Sequence, residues 1–455
     1  VISQIDRSRL PEPGAAKPFA FPPIEKSVLP GGLRVWTVRH AAVPVLSFML
    51  LVRRGAAEDP PGREGLAALT ADMLDEGSGG RSAIEVHEAI ARLGGQLDTD
   101  IGADGTALTI SVLSRFGDRA LTLLADIGAR PALADADFAR VHQLRLHRLV
   151  QLRDMPTAVA DRTFARLLFG AGPYGHTPIG FERTVAAIEA DDVRRFHAAM
   201  FEPGSSVLLA VGDCDHETVA RLATDAFAGW QPRASAPPQA DLAPPAPPRL
   251  NVVPRPGAAQ SELRIGHIGV ARDTPDYHAL VAANMVLGGQ FVSRVNLNLR
   301  QDKGYTYGAR TGFDFRRRPG PFTLQASVHT AATTHAIEES FAEIAAVRGP
   351  RPITPTELAT GVAAVTRGYA RNFETAEQIA RAVTQIALYD LPDDYFARFV
   401  PLMEQVTAAE ATAAAARHLH PDRLTTLIVG DLDAIAGELG RLGLGEPAVL
   451  SADAL

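Results

Sequence analysis

V-G-D-C-D at residues 211–215 and V-G-D-L-D at residues 429–433 each begin eight residues after a proline, Pro203 in one case and Pro421 in the other. The same phrase at the same spacing in two parts of one chain marks an internal repeat, one structural unit built twice. The surroundings agree. Helix-like stretches precede the two copies at 191–200 and 408–418, and follow them at 216–227 and 434–442. Earlier in each half an apolar strand candidate leads into a helix containing Met73 or Met285, then into glycines: Gly77, Gly79 and Gly80 in one half, Gly288 and Gly289 in the other. Between the halves lies P-R-A-S-A-P-P-Q-A-D-L-A-P-P-A-P-P-R, where repeated prolines remove backbone donors and favour an extended linker.

These features divide the chain into an extended arm at 1–27, a first domain at 28–231, a Pro-rich linker at 232–249 and a second domain at 250–455. Ser82 with Glu85 forms a capping box opening a helix that Gly94 closes, and Thr354, Pro355 and Glu357 repeat the device. Phe322, Leu324, Ala326 and Val328 alternate with polar residues as a strand requires, and 106–113 is a second strand candidate. Long helices are expected at 138–153 and 356–371. Each half is therefore expected to be α+β, a mostly antiparallel twisted sheet with helices on one face.

Composition narrows the function. At 455 residues the chain has material for more than one core, with 46% apolar and 21% charged residues. A net charge of -7 offers no broad basic surface for nucleic acid. The apolar stretch 43–52 is about half of what a bilayer-spanning helix needs, so no membrane span is expected. The opening 1–23 is polar and Pro-rich without a basic or apolar leader region. Removal of a leader would favour the bacterial periplasm over the cytoplasm.

Residues 65–73 read G-L-A-A-L-T-A-D-M, the outline of an inverted zinc helix. In H-x-x-E-H the two His share one face and the Glu polarises a metal-bound water. Ala68, Ala71 and Asp72 stand at those positions, and a methyl group can neither hold Zn²⁺ nor take a proton. Such a chain does not cut peptide bonds by itself. The single cysteine, Cys214, excludes an internal disulfide and a Cys-based zinc site, and reads as a small core residue.

Further phrases carry a resemblance. They are L-P-G-G-L-R-V at 29–35, R-G-A-A-E-D-P-P-G-R-E-G-L-A at 54–67, F-G-A-G-P-Y-G at 169–175, and L-G-G-Q-F-V-S-R-V-N-L-N-L-R-Q-D-K-G-Y-T-Y-G at 287–308. In their order and spacing, from about residue 28 to 442, the chain resembles the pitrilysin (insulinase) family of metallopeptidases, which includes mitochondrial processing peptidase and the bc1 core subunits. The resemblance implies a third zinc ligand, Glu, on a later helix. Its match, F-A-R-V-H-Q-L-R-L-H-R at 138–148, carries Arg148 there.

The resemblance also implies an Arg and a Tyr seven positions later that grip substrate near the scissile bond, matching Arg300 and Tyr307, and a glycine-containing loop touching substrate, matching Gly288 and Gly289. Together these imply a metal-free subunit paired, as a heterodimer or dimer of heterodimers, with a homologous H-x-x-E-H subunit. That partner would hold the zinc, and this chain would hold no cofactor. The pair would close a clam-shell chamber around an unfolded peptide, each chain forming half. The alternative is a structural or assembly subunit like the bc1 core proteins, with no part in catalysis. A replacement nucleophile has no support, since no G-x-S-x-G elbow is present. His142 and His147, five apart on one helix, are expected at the surface, His418 and His420 near a helix end, and Arg316 to Arg318 at a solvated hairpin tip.

Overall fold

The structure, a computed structural model, describes Ser8, residues 20–232 and residues 246–451. Its first half contributes β1 (Glu25–Val28), β2 (Arg34–Arg39), β3 (Val45–Val52), the short hairpin β4 (Gly77–Ser78) and β5 (Arg81–Ser82), β6 (Gln96–Ile101), β7 (Thr106–Leu113) and β8 (Ser206–Gly212). The second half contributes β9 (Leu250–Pro254), β10 (Gln260–Ile268), β11 (Thr306–Phe313), β12 (Pro321–His329), β13 (Thr425–Gly430) and β14 (Ala448–Val449). Two six-stranded sheets result, β1-β2-β8-β3-β7-β6 and, in the matching direction, β14-β9-β13-β10-β12-β11. They have one topology. In each, the strand ending the V-G-D phrase, β8 or β13, lies parallel to β2 or β9 and antiparallel to β3 or β10.

The local devices of the sequence appear where expected. Both capping boxes form, Ser82 with Glu85 and Thr354 with Glu357. The second helix stops at Thr366, short of the expected 371, because Arg367 turns extended and Gly368 takes φ +94°, a left-handed conformation cheap only for glycine. Asp215 caps the helix after the first V-G-D-C-D through the Thr218 amide at 2.9 Å. In the second copy the cap is Asp431, two residues earlier in the phrase, bound to the Ala434 amide at 3.3 Å.

Each half's own helices cover one face of its sheet, and the other face is covered by a helix from the opposite half. Phe48, Leu50, Leu208 and Ala210 point into the first half's own core. Met49, Leu51, Leu209 and Val211 point the other way, into a core shared with the second half, where the helix Ala376–Tyr389 packs on β3 and β8. Reciprocally, Val159 and Phe164 of the first-half helix Pro156–Phe169 meet Val253, Leu427 and Val429 of the second sheet. This explains why β8 and β13 are buried at every position: a strand covered on both faces reads as a continuous apolar run.

Three segments differ from their expected places. The first sheet begins at Glu25, inside the 1–27 arm, because β1 pairs with β2. Just before it Phe21 packs on Phe373 and Phe396, ring centroids 5.3 and 5.0 Å away, so this part of the arm lies on the chain's own second half. The Arg316 to Arg318 turn is not a solvated tip. The Arg317 amide donates to Asp104 at 2.8 Å, its guanidinium donates to the carbonyls of Arg53 and Leu388 at 3.0 and 3.1 Å, and the Arg318 amide donates to the Tyr174 hydroxyl at 3.2 Å. The turn joins the halves. Of the expected linker, 233–245 lies outside the described residues.

Candidate functional site

The helix Leu66–Asp72 is short and buried nearly throughout, with Ala68 at 2% and Ala71 at 1% exposure. Its entry is tight: a Cβ on Gly65 would stand 3.1 Å from the Gly180 Cα, and one on Gly180 would stand 2.1 Å from the Glu64 carbonyl oxygen. Asp59 holds the first turn from six residues upstream, its two oxygens accepting the Gly65 and Ala67 amides at 2.7 and 2.6 Å. Those are amides a helix cannot satisfy internally. His176 lies 3.0 Å from Asp59, both side chains buried, and burial pushes the Asp59 carboxyl up while His176 and the two amides oppose it. This brace was not seen in the sequence. The residue at the N-cap position is Gly65, and nothing local points to an acid so far away.

The four positions matched to the zinc site do not form one. Ala68 and Ala71 bring only methyls. Asp72 pairs with Arg145, one turn before Arg148 on the helix Asp135–Arg153, and Arg148 is exposed and donates to Gln151 at 3.3 Å. Zinc does not fit here: the one carboxylate is taken by a guanidinium, and a second guanidinium stands where an anionic ligand is required. Among the described residues no group of three or more His, Cys, Asp or Glu could hold a metal ion. The histidines are committed elsewhere. His142 bonds the Val185 carbonyl at 2.8 Å, His147 contacts Gln143 at 2.9 Å, and His418 contacts Asp276 at 2.6 Å. His420, half-buried, donates its backbone amide to His267 at 3.1 Å. Cys214 is half-buried rather than core, and burial, then Asp215 and Asp213, push its thiol up to about 11. It is no nucleophile.

The second half gathers Arg300 and Tyr307 around residues 287–308. Arg300 sits on a π-helical turn, Leu297–Asp302, a winding often found at functional sites. Its guanidinium lies 4.3 Å from the ring centroid of Phe291, which is 65% exposed. Tyr307 stands in a bulge between Thr306 and Ala309 and is 83% exposed. Thr306 builds the bulge by accepting the Gly308 amide at 3.1 Å and donating to the Ser327 carbonyl at 2.6 Å. Among the described residues, neither Arg300 nor the Tyr307 hydroxyl has a hydrogen-bond or ion-pair partner. Asn296 ties the cluster together: its carboxamide donates to the Phe291 carbonyl at 2.6 Å and accepts the Ala309 amide at 3.0 Å. Phe291 and Asn296 lie inside the phrase that named the pair, yet only the fold shows them beside it.

Gly288 and Gly289 pack inward. The Gly288 carbonyl accepts the Thr311 amide at 3.0 Å, and a Cβ there would stand 2.5 Å from the Thr311 hydroxyl. With Asn296, Gly288 occupies the outer edge of β11. The corresponding edge of the first sheet, β6, carries no backbone hydrogen bond beyond those to β7 among the described residues, and it runs beside the Leu66–Asp72 helix.

Comparison with known proteins follows this geometry. The family model for insulinase (peptidase family M16) matches residues 34–167, and that for the peptidase M16 inactive domain matches residues 187–365. An uncharacterized zinc protease of Streptomyces coelicolor is 27% identical over 290 residues, 62% of this chain and 63% of its own length. One from Mycobacterium tuberculosis is 24% identical over 435 residues, 92% of this chain and 96% of its own. Among solved structures, the peptidase M16 inactive domain from Pseudomonas fluorescens superposes with a TM-score of 0.82 at 24% identity, over 90% of this chain and 98% of that one. A Helicobacter pylori protease gives 0.82 at 19%, over 90% and 100%. These two likenesses concern the fold. The family models, which between them run from residue 34 to residue 365 across both halves, place this chain in the insulinase, or M16, family of peptidases.

Proposed function

We propose that this chain is the metal-free subunit of a two-chain zinc peptidase, lending Arg300 and Tyr307 to the H-x-x-E-H site of a homologous partner. One observation carries the reading: an exposed phenol and a guanidinium, both without partners, are held together on a braced loop while the chain's own zinc positions are methyls and paired charges. Unused donors on an ordered scaffold are what an incoming carbonyl requires. The phenol is suited to donate to the carbonyl beside the scissile bond, where negative charge develops, and the guanidinium to neighbouring peptide carbonyls. The partner's metal supplies water activation. The substrate is an unfolded peptide, because an open strand edge such as β6 recognises main chain and tolerates many side chains.

The test is co-expression with an H-x-x-E-H relative encoded nearby. The pair is expected to bind about one zinc and this chain alone none, following the three-ligand rule of catalytic zinc. Tyr307→Phe and Arg300→Ala are each expected to lower kcat/KM of the pair by about ten- to a hundredfold. Unchanged peptide turnover in both variants would sink the shared site and leave a structural subunit.

A further inference from the structure

A cleft opens between the two halves where β6 ends. Asp100 and the turn after it form one wall, Arg264 of β10 and Gln325 of β12 another, and Thr177 lines it too, around a volume of about 710 Å³. That size is typical of ligand sites. Two polar atoms on lining residues have no hydrogen-bond partner, Arg264 Nη2 and Thr177 Oγ1. Arg264 is 2% exposed. Leaving a buried donor unpaired is costly, which favours filling it from the cleft.

The charge of Arg264 is already balanced. Its Nε donates to Asp161 at 2.8 Å and its Nη1 to Glu262 and to the Leu263 carbonyl at 2.6 and 2.8 Å. An anion brought to Nη2 would stand in the field of two carboxylates, whereas a neutral carbonyl oxygen would not. Phe164 and Phe313 add apolar wall.

We propose that this cleft is a separate peptide-holding site, in which a main-chain carbonyl of an extended peptide accepts from Arg264 Nη2 and a neighbouring main-chain group pairs with the Thr177 hydroxyl. The proposal rests on the reading of β6 as a strand-accepting edge, since a peptide laid along Gln96–Ile101 enters the cleft at Asp100. β6 has six residues. Peptides of about six residues or fewer are filled by the edge alone, at about 3.3 Å per residue, and longer ones reach the cleft.

The test uses the full chain without a partner and two fluorescein-labelled unstructured peptides, of 5 and 12 residues, followed by fluorescence anisotropy. The 12-residue peptide is expected to bind about tenfold tighter than the short one. Thr177→Val is expected to cut that advantage by about three- to fivefold, as losing one hydrogen bond does. Arg264→Lys, which keeps the charge for Asp161 and Glu262 but removes Nη2, is expected to do the same, and neither should alter binding of the 5-residue peptide. A length advantage that is absent, or intact in both variants, overturns the cleft site while short-peptide binding keeps the β6 reading standing. Failure of wild-type chain to bind either peptide overturns both.

Discussion

His267 is 3% exposed on β10, accepting the His420 amide on Nε2 at 3.1 Å and facing the Ile268 carbonyl with Nδ1 at 2.8 Å. The ring must therefore be neutral, with its proton on Nδ1, because a protonated Nε2 would meet another donor. Burial accordingly lowers its pKa to about 4. A folded pKa below the unfolded value of about 6.5 means the unfolded chain binds more protons between the two. Stability is full above pH 6.5 and is lost as pH falls toward 4, by on the order of 3 kcal/mol. Chemical denaturation at pH 7 and pH 4 should show this loss in the wild type and a clearly smaller one in His267→Gln; equal losses would refute it. At this same scale the sequence was most informative about chemistry. Ala68, Ala71 and Arg148 stood in plain view as residues unable to serve zinc. Asp72 was the exception, since its pairing with Arg145 depends on how two helices cross.

Elements were legible where their signals are local. The helix Ala408–His418 and the strand Thr106–Leu113 lie where residue periodicity and β-branched content put them. Elements braced from a distance were not. The Leu66–Asp72 helix has no capping side chain of its own and depends on Asp59, which in turn depends on His176. Asp59→Ala would leave two amides and an imidazole unpaired in a buried space, a loss of about 2–4 kcal/mol. A urea denaturation midpoint shifted by less than about 0.5 kcal/mol of stability, within the noise of surface substitutions, would show that the brace is dispensable. Tyr307 makes the same point in reverse. Its spacing from Arg300 was readable, while its outward projection is a product of the bulge that Thr306 and Gly308 create.

Over the whole molecule, the repeat announced two similar sheets but not that they trade helices. A helix packed on a sheet leaves the same apolar stripe in the sequence whichever half owns the sheet, so Ala376–Tyr389 carried no sign that it belongs on β3 and β8. The exchange predicts one cooperative unfolding transition. Residues 28–231 produced alone would expose the face of Met49, Leu51 and Leu209 and should be insoluble, whereas co-produced with 250–455 they should yield a soluble complex that melts once. A soluble, folded first half by itself would contradict the exchange. Heredity is constrained as well. Where the Thr384 hydroxyl meets the Met49 sulfur at 2.9 Å, a change on one side of an ancient duplication is felt on the other. Lineages descended from it can let their surfaces wander independently, but should show matched substitutions between positions hundreds of residues apart wherever the traded helices lie.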